Sequence, residues 1–226
     1  MRQLYEIMFP SLNGMWGEIS LDECSKLFSS SEEIPLLDVN SQISFVNDMH
    51  KWIGTDYSHG GYLENRSSLW RGMYMMKEMP PKPIHLGIDY NVPARTPVHM
   101  PYSGQCVSYV IDKDQDGGWG GKATFYNHNG KFFFIIGHLA NDVKFLAEGL
   151  HYGRGVYIGN VGDSKVNGGW FPHVHLQCIT PVRMIFDSVS PIDGYGSDQI
   201  FVAGRVFVAT NHLKMAYPNP NDFNRE

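Results

Sequence analysis

Cysteine is scarce in this chain and never closely paired. Its three cysteines, Cys24, Cys106 and Cys178, lie far apart with no CxxC, which argues against a disulfide framework or a thiolate zinc site. Free thiols buried in a reducing compartment are the expectation. Long hydrophobic runs are also missing, since no stretch approaches the roughly 18 apolar residues of a membrane span. Near the N-terminus the longest apolar run is Ile7-Met8-Phe9, interrupted by Glu6 and Pro10, so no signal peptide is visible. The resulting expectation is a cytoplasmic chain, with any action outside the cytoplasm reached by another route. Clusters of Lys and Arg are absent and the net charge is -5, which excludes the basic stripe of a nucleic-acid binder. No GxSxG, Walker loop or dinucleotide fingerprint occurs.

Glycine and proline are plentiful, at 24 and 13 residues, and they suggest many turns rather than long helices. Ser20-Leu21-Asp22-Glu23 has the form of a capping box, predicting a short helix through about Phe28. A second helix is predicted from about Ser41 to Ile53, with Phe45, Val46, Met49, Trp52 and Ile53 on one side and Gly54 as its stop. Residues 55–71, rich in Gly, Ser, Asn and Tyr, read as loop. Pro80, Pro81 and Pro83 mark a boundary, dividing a helical and loop segment at 1–79 from a second unit at 80–226. Beyond the boundary, short apolar runs alternate with turn signals, predicting an all-β region. Its expected strands are Pro97–Met100, Gln105–Ile111, Ala123–Asn127, Lys131–His138, Gly155–Ile158, His173–Ile179 and Arg205–Ala209.

Four histidines and one aspartate concentrate in three short stretches of this region: His85 and Asp89 in HLGID, His138 in GHL, His173 and His175 in HVHLQ. Two His and one carboxylate are a ligand set of catalytic zinc, which leaves a fourth position for water. Zinc-assisted hydrolysis also needs groups that move protons or steady an oxyanion, and two histidines remain for that work. On a strand, His173 and His175 point to one face. They could both reach one metal centre, or one could be a ligand beside a catalytic neighbour. His85 and Asp89 are harder to reconcile. Four residues along a regular strand span roughly 13 Å, and Pro81, Pro83, Gly87 and Pro93 argue against a helix. A strand bent at Gly87 would turn both side chains inward.

These stretches carry a resemblance. The run from His85 to Gly104, followed by Gln105-Cys106-Val107, resembles the opening motif of the M23 (lysostaphin/LytM-type) zinc metallopeptidases. Gly137-His138-Leu139 is similar to that family's central motif, Ile158 to Gly162 to its glycine turn, and His173 to Leu176 to its terminal HxH. The resemblance covers about residues 84 to 180. It implies that His85, Asp89 and His175 bind one Zn2+ and that His138 and His173 are the catalytic pair. It implies a mainly β fold with an antiparallel β-sheet core of the lysostaphin/LytM type, to which a small helical N-terminal segment is added. The implied reaction is hydrolysis of a peptide bond, in most members within peptidoglycan stem peptides or cross-bridges. Where many members have a Ser/Thr/Gly-rich turn before HxH, this chain has Lys165 to Pro172, and Trp170 and Phe171 are expected to wall a substrate groove rather than pack the core.

Asp112, Asp114 and Asp116, ending at Gly117, have the opening of a calcium loop, but Ala123 stands where an EF-hand needs Glu. A solvated hairpin turn is the expected reading, with Ca2+ as the alternative. Met73, Met75 and Met76 read as packing. A cupin would want Glu shortly after HxH, where Ile179, Thr180 and Pro181 stand, and a common facial triad begins His-x-Asp/Glu, so both fail on spacing. The rival to an enzyme is a binding module that keeps the zinc fold to hold a peptide or a partner. A peptidase for a peptide outside peptidoglycan is the other alternative.

Overall fold

Alternation along the central strands sets the architecture. In Val174–Ile179 every residue is buried, so the strand needs a cover on both faces. Val174, Leu176 and Cys178 belong to the main apolar core, while His175 and Gln177, pointing the other way, are buried among polar groups. One face of the sheet is therefore a core and the other a site.

The computed structural model describes residues 2–28, 38–70, 72–77, 81–141, 146–181, 193–197, 199–202, 205–208 and 210–224. Its helices are α1 (Leu4–Met8), α2 (Leu21–Phe28), α3 (Val39–Ile53), α4 (Tyr74–Lys77) and α5 (Thr210–Ala216). The strands are β1 (Trp16–Glu18), β2 (Tyr57–Gly60), β3 (Ile84–His85), β4 (Ile88–Asn91), β5 (Pro97–His99), β6 (Gly104–Ile111) and β7 (Gly121–Asn127). They continue with β8 (Phe132–Leu139), β9 (His151–Tyr152), β10 (Tyr157–Asn160), β11 (Val174–Ile179), β12 (Tyr195–Gly196), β13 (Gln199–Val202) and β14 (Arg205–Val208). An eight-stranded sheet runs in the order β1-β2-β4-β11-β8-β7-β6-β9, and β5–β10, β3–β12 and β13–β14 form separate pairs. Every neighbouring pair is antiparallel except β1–β2. The fold is mainly β and antiparallel, as expected.

The outer face of the central strands packs Ile88, Tyr90, Phe125, Phe134 and Ile136 against Leu4, Met8 and Phe9 of the N-terminal region and against Val98, Met100, Tyr102 and Ile158. Full burial of each such side chain contributes about 1.5–3 kcal/mol. Residues 1–79 also extend the sheet, because β2 pairs with β4 and β1 with β2. Here the expectation of a loop over residues 55–71 is corrected. The β2 sequence Tyr-Ser-His-Gly has no apolar run to betray it, and Ser58 is buried through hydrogen bonds with His50 and Asn91 instead. Helix α3 begins two residues earlier than predicted, because the Asp38 carboxylate accepts from the amides of Asn40 and Ser41, and it stops at Gly54 in the left-handed conformation (φ 72°). Its buried positions are Gln42, Val46 and Met49, whereas Trp52, grouped on one side with Val46 and Met49 by the sequence, is 61% exposed. Expected strand limits fall within a few residues of those observed, the largest shift being Gly155–Ile158 to Tyr157–Asn160. The final residue of the expected strand Arg205–Ala209 lies outside the described residues.

The bend at Gly87 takes the form of a change of sheet. Strand β3 pairs with β12, placing His85 opposite Tyr195, and after the two residues Leu86 and Gly87 β4 enters the main sheet. A Cβ on Gly87 would lie 2.6 Å from both the Nε2 of His175 and the carbonyl oxygen of Leu176. Backbone cannot retreat cheaply at that point, so Gly87→Ala is expected to destabilise the protein by about 1–3 kcal/mol in urea unfolding. An unchanged midpoint would show that the β3–β4 passage is looser than this.

Candidate metal centre

Register assembles the site. Asp89 of β4 stands directly across from His175 of β11, which stands across from Gly137 of β8. His173, two residues before His175, reaches the same face, and His138 follows Gly137. His85 arrives from β3 after the change of sheet. All five side chains are buried, with exposures between 1% and 7%.

Three donor atoms converge. His85 Nε2 lies 2.9 Å from His175 Nδ1, Asp89 Oδ1 lies 3.0 Å from His175 Nδ1, and His85 Nε2 lies 3.2 Å from Asp89 Oδ1. A tetrahedral ion with bonds near 2.0 Å has ligand-to-ligand edges of roughly 3.3 Å, so the set fits zinc with little adjustment. Among the described residues, His85, Asp89 and His175 are the group of His, Cys, Asp or Glu whose ligand atoms gather within 4.8 Å.

Outer hydrogen bonds decide which atom each ring offers. His85 Nδ1 donates to the Gly61 carbonyl at 2.8 Å, leaving Nε2 for the centre. His175 Nε2 donates to Gln177 Oε1 at 3.0 Å, leaving Nδ1. His138 and His173 stand beside the triad with ring centroids 4.2 Å apart. The Nδ1 of His138 donates to the Asn167 carbonyl at 2.8 Å, and that of His173 to the Phe171 carbonyl at 2.7 Å. Asn167 ties these anchors together, since its side-chain amide also donates to the Phe171 carbonyl. His138 has a left-handed backbone (φ 62°), an uncommon state for a non-glycine residue and one met at functional sites.

Burial governs the protonation states. It pushes His85 down to about 4, with the Arg66 guanidinium adding to the fall. Burial also holds His138 well below the usual imidazole range, helped by His173 and His175, and it lowers His173 although Asp89 pulls the other way. Asp89 is pushed up by burial but held well below the carboxylate range by His85, Arg66 and His173. The Asp89 carboxylate is thus ionised beside neutral rings at His85, His138 and His173.

Several contributors left no trace in sequence reasoning. Arg66 Nη1 donates to Asp89 Oδ2 at 2.8 Å and its Nε to Glu64 Oε2 at 2.7 Å, all within the buried interior. Gln177 could have been found, being the next same-face residue after HxH. Trp119 stacks on His138 at 5.9 Å and meets His175 edge-on at 5.2 Å. Tyr195 flanks His85 at 5.4 Å. Arg66, Trp119 and Tyr195, with Trp70, Tyr74 and Trp170, line a cavity over the triad of about 30 Å3.

Trp170 and Phe171, expected in a groove wall rather than in the core, combine the two settings. Both line the cavity, yet they are 4% and 3% exposed and pack in an apolar cluster with Trp70, Met49 and Met75. The contrast dissolves because the short connection between β10 and β11 is itself covered by α3, whose Gln42 accepts from the Phe171 amide. Asp112, Asp114 and Asp116 occupy the β6–β7 connection. Asp112 accepts from the amides of Asp114 and Trp119, and Asp114 from that of Asp116, so these carboxylates brace the turn that presents Trp119.

The sequence model of Peptidase family M23 matches residues 83–185, the stretch holding all five residues. Over this stretch the chain carries the pattern of peptidase family M23. Solved structures similar to this chain include the catalytic domain of the antimicrobial peptidase lysostaphin from Staphylococcus simulans, at 20% identity over 73% of this chain and 96% of that one, with a TM-score of 0.37. A zinc-containing peptidase from Vibrio cholerae is 22% identical over 42% of this chain and 27% of that one, with a TM-score of 0.35. Helicobacter pylori Csd3 is 20% identical over 43% of this chain and 24% of that one, with a TM-score of 0.34. The chain thus spans about a quarter of the length of the latter two. No curated protein matches the sequence.

The lowered histidines carry a pH signature. Their folded values lie below the ordinary value of about 6.5, so the unfolded chain takes up protons first as pH falls. Stability is therefore full above about pH 6.5 and declines towards pH 4, by about 1.4 kcal/mol per pH unit for each ring that stays neutral in the fold. His50 and His59, also lowered by burial, act in the same direction. Thermal melts of chelator-treated protein should show a constant midpoint from pH 8 to 7 and a steep fall between 6.5 and 5. A flat profile would mean that the rings are protonated in the native state.

Proposed function

We propose that the protein is an M23-type zinc metalloendopeptidase, in which His85, Asp89 and His175 hold one Zn2+ and His138 and His173 handle protons. The observation that carries this reading is the triangle of donor atoms beside two neutral, anchored imidazoles. When bound, zinc would supply Lewis acidity, acidifying water and polarising a peptide carbonyl. The chain's own residues supply the rest. His138 and His173 each fix Nδ1 on a backbone carbonyl, so a proton can be taken up or released at Nε2. His173 Nε2 lies 3.8 Å from Asp89 Oδ1, which suits it to bear positive charge after accepting a proton. His138, on the Trp119 face, suits the return of a proton to the leaving amine or the steadying of an oxyanion. Residues 80–226 are the catalytic unit in this reading, and residues 1–79 help to build its walls.

The proposed substrates are peptide bonds in peptidoglycan stem peptides or cross-bridges, on the strength of the match to the family model. The size of the cavity favours a second reading. About 30 Å3 has room for two or three waters over the triad, which is small for a peptide backbone. A zinc-holding module that binds a peptide or a partner without turnover is the form that this reading takes.

Elemental analysis of wild type and His175→Ala, purified without added metal, separates metal site from relic. One zinc per chain in the wild type and none in the variant is expected. His138→Ala should keep its zinc and lose about 10²–10⁴-fold in turnover of peptidoglycan or glycine-rich peptides. Zinc loss in His138→Ala would make that residue a ligand. A zinc-loaded wild type inert on every peptide, at any pH, would favour the binding module.

A further inference from the structure

The triad is buttressed from outside the family-matched region, by the segment Gly61 to Arg66. Its backbone runs beside β3. The Leu63 amide donates to the His85 carbonyl at 2.9 Å, the His85 amide to the Glu64 carbonyl at 2.9 Å, and the Arg66 amide to the Pro83 carbonyl at 2.9 Å. The Gly61 carbonyl takes the Nδ1 proton of His85. Gly61 itself is a forced choice. Its φ is 89°, and a Cβ there would lie 2.2 Å from Arg66 Nη2 and 3.0 Å from His85 Nδ1.

Arg66 closes the arrangement. Its side chain is 3% exposed and bridges Glu64 Oε2 and Asp89 Oδ2, while Nη1 also reaches the Tyr195 hydroxyl at 3.3 Å. Glu64 is anchored in turn, its Oε1 accepting from Ser20 Oγ at 2.6 Å and from the Asp22 amide at 2.9 Å. The planar fork of a guanidinium can hold two carboxylates in fixed orientation, which a lysine ammonium cannot do. With Oδ2 engaged by Arg66, Asp89 turns Oδ1 alone towards His85 and His175.

We propose that Arg66 is a positioning residue of the metal centre, holding the Asp89 carboxylate so that one oxygen only faces the ligand histidines. The inference rests on the zinc reading given above. It also carries a sign that simple electrostatics would not give. A cation beside the centre repels a metal, so by charge alone the loss of Arg66 should tighten binding. Positioning predicts the reverse when net charge is kept constant.

Two substitutions keep that charge. Arg66→Lys retains the cation without the fork, and the double variant Glu64→Gln with Arg66→Met replaces a neutral pair by a neutral pair. The full-length chain is used throughout. Zinc affinity is measured by competition with a chromogenic chelator, the visible spectrum with Co2+, and apo stability by thermal melting. The expected result is zinc binding weakened about 10–100-fold in both variants, with a Co2+ spectrum altered because the freed Oδ2 can also coordinate. Folded variants that bind zinc as tightly as wild type, or tighter, and keep its Co2+ spectrum would overturn the inference. So would failure of both to fold, which would make Arg66 a structural residue. A wild type that binds no zinc would overturn the metal reading first, and this inference with it.

Discussion

A carboxylate buried in the middle of a sheet is the constraint on which the rest of the structure depends. Asp89 is 2% exposed on a strand covered on both faces. An isolated ionised carboxylate in such a place would cost several kcal/mol even after relaxation, and the usual escape is to take up a proton. Asp89 does not take that escape, because Arg66 lies against one oxygen and imidazoles surround the other. The charge thus stays, and a charge that stays is what a divalent cation requires. Removing one compensating partner would leave the others buried and uncompensated. The network from Ser20 through Glu64 and Arg66 to Asp89 therefore behaves as a unit rather than as independent pairs.

Strand geometry brings these groups together with few degrees of freedom. A period of two places Asp89, His175 and His173 on one face while Ile88, Tyr90, Val174 and Leu176 supply the core on the other. A slip of one residue would bury the aspartate among Phe134, Ile136 and Cys178. The apolar face is thus the device that fixes the polar one in register. His138 departs from this pattern, and its left-handed backbone re-aims the ring towards His173.

How far the site could be read from sequence follows from the range of the interactions involved. HxH, the bend at Gly87, the stop of α3 at Gly54 and the apolar runs of β6, β7 and β8 are local, and local rules recover them. Strand β2 escaped because its burial comes from Ser58 hydrogen bonds rather than from an apolar run. Arg66 escaped for a stronger reason. It sits in a glycine- and serine-rich stretch 23 residues before its partner Asp89, and a lone arginine in such a stretch is ordinarily solvated. Nothing local distinguishes it from Arg95, and only the fold brings it inside. Trp170 and Phe171 show the complementary limit, since a residue can wall a cavity and be core at once when the wall is itself backed by a helix.

The aromatic cover and the chemistry of the histidines are linked. Trp70, Trp119, Trp170 and Tyr195 wall the cavity over the triad, and burial is what chiefly depresses His138 and His173. A base held far below neutrality is available but weak, because proton affinity falls with pKa. Water or a polar ligand group entering the cavity past Trp119 and Tyr195 would reduce the desolvation of both rings and raise them towards their ordinary value near 6.5. Whatever binds over the triad therefore changes the proton affinity of the rings it meets.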